Sequence, residues 1–565
     1  MLLYLRKKLA KGILFMNQEL SKRNKLLLFK NLFKKFLFIV SVPSVTLLLS
    51  NIGTGKQRLF SVILSFIIAI FVTFKFNILD KIFKERNKFY TAISMFFATV
   101  TSFFFGQLFY SYNIVVEPVR SIFINFLPDS LVMYGFIILS LFALYSFYYF
   151  FISRFWPKIT NFFTSLEKNE KQYLILSTCI LGIAIIIIYS ITNVFYAPKI
   201  NGEIQTFDVI YTTDTGAHGV LNDYLNINSV ENDLRQILFA VFSFPFAIIA
   251  YMVGNLFNNL GNGYFILIAI IQVFLMNIVS ILLSRMLNFK KIEQTLFLIF
   301  YTVTYPFILF AFNLEQYVFA MFWLMCFLYS YMQNKEGNKF CFIASVGSLT
   351  TNAIFFPLLT SGRKIKKWLT DFISTGLAFV AGIIVFGQFP VILNIFTGAG
   401  HVSNYISGVI NFDNFCQYSN FVTNCFVAPF NTITEERLGH ISFQLAPAET
   451  LSILGCIIFV LVILGFILNR KDKFAKICFS WIIFSIVLLI ILGYGTRENG
   501  LILYSLYFNW AFVGLIFLLL KKLLGNKKKI FITISVILII LLVVFNVNGL
   551  IDLVQFGLQN FDHVV

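Results

Sequence analysis

The chain has 565 residues, of which 59% are hydrophobic and only 12% carry a charged side chain. Its mean hydropathy of +0.84 excludes a soluble globular protein of this length. The formal net charge is +19, and ten of the 44 Lys and Arg residues fall within the first 35 positions. These basic residues are interleaved with apolar ones, as in a surface segment on the anionic cytoplasmic leaflet. The membrane therefore explains the charge, and we expect no nucleic-acid partner.

Apolar segments of about 20 residues, the length that crosses a hydrocarbon core of about 30 Å, recur along the chain. They predict an all-α polytopic membrane protein. The positive-inside rule places the basic connectors 76–89 and 154–171 in the cytoplasm. The N-terminus is then cytoplasmic, and the segment 194–236 lies outside. The first five predicted spans are 34–51, 58–76, 90–113, 131–153 and 172–193.

The segment 237–257 is apolar enough to span the membrane, and so is 264–285. If both crossed, the basic connector 285–291 would lie outside, against the positive-inside rule. The conflict disappears if 237–257, which contains Pro245, lies in or dips into the outer interface. We therefore predict an interfacial helix over 237–257.

With that helix excluded, the later basic connectors all fall in the cytoplasm. The stretch 340–361 must then begin and end on the same side, and its polar centre SLTTN favours a re-entrant hairpin of two half-helices. We predict about 13 crossings, with the C-terminus outside.

A polar island, Thr206–Gln236, interrupts this apolar chain. Charged groups are costly near lipid, so such a cluster is a candidate functional site, although a plain solvated loop would also be polar. Its acidic side chains are Asp208, Asp214, Asp223, Glu231 and Asp233.

The segment from about 392 to 450 forms a second predicted outer loop. Cys416 and Cys425 lie there, nine residues apart and outside the reducing cytoplasm, so the sequence predicts a local disulfide, with two reduced thiols as the alternative. The spacing of the histidines matches no metal-ligand pattern, and we predict no metal site. All four are predicted to be external: His218, His401, His440 and His563.

The order of features from 172 to about 390 resembles the conserved module of the GT-C glycosyltransferases, such as protein O-mannosyltransferases and lipid A aminoarabinose transferases. A span ends in an acidic outer loop, and an apolar interfacial helix, a span with a basic cytoplasmic turn, two more spans and a short hairpin follow. The stretch 235–271 is similar to the juxtamembrane pattern of that family. The resemblance implies a GT-C-like fold that uses a polyprenyl-phosphate sugar, with a catalytic acid in the first outer loop. The subgroup that modifies wall polysaccharides and teichoic acids in Gram-positive bacteria is the most similar.

On this interpretation the chain divides into four regions. Residues 1–171 are a basic segment with a four-span accessory module, which the family lacks. Residues 172–391 are the GT-C-like module, 392–450 the second outer loop and 451–565 the C-terminal spans. The loop lacks an Asp-x-Asp or adjacent acids before Glu231–Asn232–Asp233, so no motif supports a divalent metal, and we predict no cofactor.

Transfer of a sugar from a polyprenyl phosphate requires a carboxylate to accept the proton of the acceptor hydroxyl. Asp214, in the small-residue turn TTDTG, is the first choice, and Asp208 is the alternative. Cations must also hold the phosphate leaving group, and Arg235 and Arg497 supply the planar donor fork that suits phosphate. Further substrate-binding candidates are Glu231, Asp233, His218 and Glu498.

The sequence thus predicts an inverting glycosyltransferase of a bacterial plasma membrane, which moves sugar to an extracytoplasmic acceptor such as a wall glycopolymer. An outer-face polysaccharide polymerase or ligase is the alternative, although such enzymes rely on external arginines and this first loop is acidic. A flippase or transporter is a third possibility, but transporters place ionisable residues in mid-membrane, and the spans here carry almost none. A structural scaffold would not need the polar island.

Overall fold

The computed structural model describes residues 29–49, 55–76, 79–80, 87–111, 129–205, 208–213, 224, 235–256, 262–334, 337–359, 365–396, 410–437, 440–496 and 500–562. These residues are overwhelmingly helical. The helices, in chain order, are α1 Phe29–Leu49, α2 Gly55–Phe76, α3 Lys88–Ser111, α4 Asp129–Thr164, α5 Lys168–Ile191, α6 Phe239–Leu256, α7 Gly263–Met286, α8 Lys291–Thr302, α9 Tyr305–Phe312, α10 Tyr317–Asn334, α11 Lys339–Ser348, α12 Ile365–Val385, α13 Phe389–Phe396, α14 Phe412–Asn424, α15 Ile453–Leu468, α16 Lys473–Ile486, α17 Ser505–Leu524 and α18 Lys528–Asn560.

Short 3₁₀ helices at Thr350–Leu359 and Gly500–Tyr504, a π-helical turn at Val487–Ile491 and two small antiparallel sheets complete the described elements. In the first sheet β1 (Lys199–Ile200) pairs with β2 (Glu203–Ile204). In the second, β3 pairs with β4 in a register that matches Thr432 with Leu445 and Arg437 with His440. The strands are β3 Thr432–Arg437 and β4 His440–Leu445.

The architecture is that of a multi-pass membrane protein. Ten described helices are long and apolar enough to cross a membrane, and the α8–α9 pair, bent by 57°, could form an eleventh span. The two other segments among the 13 predicted crossings, α10 and α15, are 18 and 16 residues long. At about 1.5 Å per residue they fall slightly short of a hydrocarbon core of about 30 Å.

The chain separates into two compact units. The first comprises residues 1–165 with 380–390, and the second comprises 166–379 with 391–565. The first boundary falls six residues before the one predicted at 171. The three regions predicted beyond residue 171 form a single unit, except that residues 380–390 belong to the first unit.

Small hydroxyl side chains join the helices of the first unit. Ser102 and Ser140 pair their Oγ atoms at 2.6 Å, and Thr101 pairs with the Tyr148 hydroxyl at 2.7 Å. Such contacts between α3 and α4 satisfy polar atoms where no water is present and bring the two backbones close together.

In the second unit, α5 and α7 run antiparallel and are fixed at both ends. Glu170, in the first turn of α5, accepts hydrogen bonds from Arg285, in the last turn of α7, at 2.6 and 2.8 Å. At the opposite end, Asn262 precedes α7 and donates to the Tyr189 carbonyl at 2.8 Å. The last turn of α5 and the start of α7 therefore lie at the same end of this helix pair. That geometry supports the prediction that 237–257 does not cross.

The predicted hairpin over 340–361 consists of α11 and the 3₁₀ helix Thr350–Leu359. Its two ends meet, because the Gly337 N–H donates to the Leu358 carbonyl at 3.0 Å. The first turn of α11 is capped by Asn338, whose side chain accepts from the N–H groups of Phe340 and Cys341. The segment thus begins and ends at one place, as the prediction requires.

Candidate functional site

Gln272, fully buried in α7, organises a polar cluster in the second unit. Its Oε1 accepts from the Tyr224 hydroxyl at 2.8 Å and from the Glu315 N–H at 3.1 Å. Its Nε2 donates to the carbonyls of Phe310 and Asn313, both at 3.2 Å. One amide therefore fixes the turn between α9 and α10 that carries Glu315.

The cluster lies inside the helix bundle, away from the end at which α7 begins. Gln272 is nine residues after Gly263, the first residue of α7, which is about 14 Å along the helix axis. Helix α6 packs beside this part of α7, and Gly254 lies so close to Tyr264 that a Cβ there would approach the Tyr264 nitrogen to 2.6 Å. We call this group the recessed cluster, comprising Arg235, Gln272, Glu315, Tyr317 and Tyr507.

Glu315 and Arg235 bring opposite charges to the recessed cluster. Glu315 is 1% exposed, and its Oε2 accepts from the Gln316 N–H at 3.1 Å. Both charges act electrostatically on the Tyr317 hydroxyl, so Arg235 and Glu315 lie near the same phenol. A buried carboxylate needs compensating charge or hydrogen bonds. The cluster therefore combines a buried carboxylate with the guanidinium of a partly exposed arginine.

Aromatic rings connect Tyr317 to the segment that carries Arg497. The Tyr317 ring stacks edge-on against Tyr504 and Tyr507, with centroids 5.9 and 6.0 Å apart, and Tyr504 packs against Tyr494 at 5.6 Å. The loop between Tyr494 and Tyr504 is thus anchored beside the cluster at both flanks.

The tip of the α11 hairpin forms another wall of the recessed cluster. The Tyr507 hydroxyl donates to Asn352 Oδ1 and lies 3.2 Å from the Thr351 hydroxyl. The Thr350 N–H donates to the Arg235 carbonyl at 2.8 Å, so the segment that leads into α6 is fixed to the tip of the hairpin.

Several buried polar atoms in these elements have no hydrogen-bond partner among the described residues. They include both amide atoms of Asn313 and the hydroxyls of Ser345, Ser348 and Ser505. Buried polar groups in folded proteins are nearly always paired, so such a concentration suggests a site that binds a polar ligand.

An apolar groove of 490 Å³ follows the flank of the same hairpin. Among the described residues that line it, Thr375 supplies the one polar side chain. Phe356 packs against Trp368 and Phe372 with ring centroids 5.3 Å apart in each pair. The lining residues are Phe342, Ile343, Val346, Ala353, Ile354, Phe356, Leu359, Phe372, Thr375, Gly376 and Phe379.

Of the predicted catalytic and substrate-binding residues, the structure describes Asp208 and Arg235. Arg235 belongs to the recessed cluster, whereas the main chain at Asp208 lies on the second outer loop, where its carbonyl accepts from Gln444 at 3.4 Å. The next residues pair with β4, since Phe443 bonds to Val209 and Tyr211. The other predicted residues lie outside the described part of the chain: Asp214, His218, Glu231, Asp233, Arg497 and Glu498.

The backbone just before Asp214 is strained. Tyr211 and Thr212 have φ angles of 49° and 59°, in the left-handed region that non-glycine residues rarely adopt. Each costs about 1–3 kcal/mol and persists only where the surroundings impose it. Here the Tyr305 hydroxyl donates to the buried Tyr211 hydroxyl at 3.2 Å, and burial raises the pKa of Tyr211 well above its usual value. Such strain is concentrated at functional sites.

The predicted disulfide between Cys416 and Cys425 is wrong for this structure, in which both are free and buried. Cys416 lies within α14 and Cys425 follows its last residue, so nine residues of helical rise hold them about 14 Å apart. A disulfide requires Cα atoms about 4.4–6.8 Å apart. Burial raises the pKa of the Cys425 thiol well above its usual value.

Of the four histidines, the structure describes His440. His440 places Nδ1 2.9 Å from Gln205 Oε1, and the three other histidines lie outside the described ranges. Within those ranges no group of three or more His, Cys, Asp or Glu side chains could hold a metal ion.

Comparisons with protein-family models, with curated proteins and with solved structures find no match to this chain. Sequence reasoning missed Gln272, Glu315, Tyr317, Asn352 and Tyr507 as members of the candidate site. A signal was present, because Gln272 is an amide inside an apolar span and Glu315 is an acid in a short loop between two spans.

Proposed function

We propose that the protein is a membrane glycosyltransferase that moves a sugar from a polyprenyl-phosphate donor to an acceptor outside the cytoplasm of a bacterium. The observation that carries this proposal is that the α11 hairpin borders both the recessed cluster and the apolar groove. Its tip contributes Thr351 and Asn352 to the wall of the recessed cluster, and its flank lines the apolar groove. A polar site and an apolar groove on one element suit a ligand with a polar head and a long hydrocarbon tail.

The electrostatics of the recessed cluster suit the head group. Arg235 supplies a fixed positive charge, and a guanidinium binds two phosphate oxygens at once. Partial exclusion of water strengthens that attraction, because the effective dielectric constant falls with burial. Arg497 remains the second predicted cation, and its loop is anchored to the cluster through Tyr494 and Tyr504.

The proposed reaction is a single displacement with inversion. The acceptor hydroxyl oxygen forms a bond to the anomeric carbon, while the bond from that carbon to the phosphate oxygen breaks. The acceptor proton passes to a carboxylate, and the negative charge released on the phosphate is stabilised by Arg235. Asp214 remains our choice for the base. The strained Tyr211–Thr212 segment, two residues before it, supports that choice, and Asp208 is the alternative.

The test is transfer of radiolabelled sugar from synthetic polyprenyl-phosphate donors by purified protein in detergent. We expect Asp214→Asn to lower transfer at least a hundredfold with folding and donor binding retained, because general-base catalysis typically contributes about 10²–10⁴-fold. Asp413→Asn, at an exposed residue in the first turn of α14, is the matched control and should leave transfer unchanged.

Loss of transfer in Asp208→Asn with near-normal transfer in Asp214→Asn would assign the base to Asp208. Absence of transfer from every monosaccharide donor, together with transfer of whole lipid-linked oligosaccharides, would refute the proposal and favour a polymerase or ligase.

A further inference from the structure

The second outer loop encloses a cavity of 460 Å³ that the reaction described above does not use. Its volume falls within the range of about 300–1,000 Å³ that is typical of small-molecule sites. Helix α14 forms one wall, and the segment after β4 forms the other. The lining residues are Gln417, Asn420, Phe421, Thr423, Asn424, Pro429, Phe430, Asn431, Leu445, Ala446, Pro447, Ala448, Glu449, Thr450, Ser452, Leu454, Leu501 and Ile502.

The lining is polar but almost uncharged. Four side-chain amides and three hydroxyls face one carboxylate, Glu449, and none of the described lining residues is basic. Amides both donate and accept hydrogen bonds, which matches the dense hydroxyl groups of a sugar. Phe430, 66% exposed, adds an apolar surface on which a sugar ring can pack. The absence of cations among these residues disfavours a phosphate ligand.

One of the amides has unused hydrogen-bonding capacity. Gln417 donates through Nε2 to the Thr496 carbonyl at 3.2 Å, and its buried Oε1 has no partner in the described part. A buried amide without a partner is costly, and a ligand that supplies the missing bonds removes that cost.

The walls of the cavity are firmly held. Asn420 donates to the Cys416 carbonyl at 2.9 Å, which orients its amide on the surface of α14. The Thr423 and Ser452 hydroxyls pair at 2.7 Å and fix α14 to the start of α15. Gly455 allows this close approach, since a Cβ there would lie 1.9 Å from the Ser419 carbonyl oxygen.

The chain segment that borders the cavity also borders the recessed cluster. Gln417 holds the carbonyl of Thr496, in the loop that carries the predicted Arg497. Leu501 and Ile502 line the cavity two or three residues before Tyr504, which packs on Tyr317. A polymer seated in the cavity would thus lie beside the segment that borders the proposed donor site.

From this geometry we infer that the cavity binds an uncharged sugar unit of the acceptor glycan. The hydrogen-bonding groups are the amides of Gln417, Asn420 and Asn424, and Phe430 packs against the sugar ring. Its assignment to the acceptor rests on the proposed glycosyltransferase function, whereas binding of a neutral sugar does not.

The first experiment measures binding alone, with the full chain in detergent. Saturation-transfer NMR with neutral disaccharides of glucose, galactose, mannose and N-acetylglucosamine should show contact for at least one of them. The same sugars carrying a phosphate should bind more weakly, because the cavity offers Glu449 and no cation among its described residues. Contact by none of the neutral disaccharides, or stronger binding of the phosphorylated ones, would overturn the inference.

The decisive variant is Asn424→Ala. Asn424 is 5% exposed and lines the cavity, so removing its amide should weaken disaccharide binding about tenfold, with the thermal midpoint nearly unchanged. Asn560→Ala removes an amide that bonds only within α18 and serves as the control. Equal affinity of wild type and Asn424→Ala would refute the assignment of these amides.

Transfer kinetics separate this inference from the proposed function. We expect Asn424→Ala to raise the KM for the acceptor, with the KM for the polyprenyl-phosphate donor unchanged. A raised donor KM would place the donor sugar in the cavity and overturn the acceptor assignment. If no transfer is detected but disaccharide binding depends on Asn424, the proposed function fails and the sugar site stands.

Discussion

Arg235 contacts two parts of the recessed cluster, one through its main chain and one through its charge. Its carbonyl anchors the hairpin through Thr350, and its charge acts on Tyr317 beside Glu315. In the proposed reaction it binds the phosphate that becomes more negative as the sugar leaves. Because the structural contact is made by the main chain, replacing the side chain alone tests the proposed role of Arg235.

We expect Arg235→Ala to lower transfer at least a hundredfold and to weaken donor binding. Arg235→Lys keeps the charge but loses the planar fork, so it should retain part of the activity. The same pair of changes at Arg497 should follow the same order. Measured donor affinity in a detergent binding assay checks this, and unchanged affinity in Arg235→Ala would remove Arg235 from the phosphate site.

At the scale of elements, the buried Glu170–Arg285 pair fixes the end of the α5–α7 pair opposite to Asn262. Gln294 adds a hydrogen bond to Glu170 at 2.8 Å, so the carboxylate is well satisfied. Removing one partner of such a pair leaves an uncompensated buried charge, which costs about 3–5 kcal/mol.

Glu170→Gln should therefore lower the thermal midpoint of the purified protein clearly. The double variant with Arg285→Met should be less destabilised than the sum of the single changes, because it leaves no unpaired charge. Asp371→Asn breaks the more exposed Lys339–Asp371 pair and should change stability by about 0–1 kcal/mol. Additive losses in the double variant would contradict this account.

The apolar groove beside the α11 hairpin gives a second test at this scale. Gly376 lines the groove, and a Cβ added there meets no atom within 4 Å. Gly376→Phe should fill the space, raise the KM for long-chain polyprenyl donors severalfold and spare short, water-soluble donor analogues. Gly135, in α4, is equally open, so Gly135→Phe is the control. Equal kinetics for the long and short donors in Gly376→Phe would exclude the groove as the tail site.

For the whole molecule, the α5–α7 geometry constrains the topology. The first turn of α5 and the last turn of α7 share one end of the helix pair, so these two helix ends belong to the same side of the membrane. The first turn of α5 carries Lys168 and Lys171, and Lys290 and Lys291 follow α7, so the positive-inside rule favours the cytoplasm for this end. On this orientation we expect the opposite end of the helix pair, at Thr192 and Asn262, to face the outside.

This topology predicts the labelling pattern of introduced cysteines. In a background with the exposed Cys179 and Cys456 changed to alanine, an impermeant maleimide should label Glu203→Cys on intact cells. Lys291→Cys, at the exposed start of α8, should react only after the membrane is permeabilised. Labelling of Lys291→Cys on intact cells would overturn the orientation and the resemblance that depends on it.

From the amino-acid sequence alone, the multi-pass helical class and the hairpin over 340–361 could be predicted, whereas α4 continues to Thr164, past the predicted end of its span at 153. Hydropathy and charge are read locally along the chain, and the bilayer imposes the same rule on every span. The charge of the connector 285–291 was enough to predict that 237–257 does not cross the membrane. The position of α6 between the adjacent ends of α5 and α7 supports that interpretation.

The tertiary structure alone decided which polar residues meet. Gln272 and Glu315 are 43 positions apart, and Asn352 and Tyr507 are 155 apart, so no local pattern pairs them. Helix formation likewise separated Cys416 from Cys425, although their sequence spacing suggested a disulfide. A site built from several helices depends on how those helices pack, because the side chains that touch are chosen by the packing and not by their order in the chain.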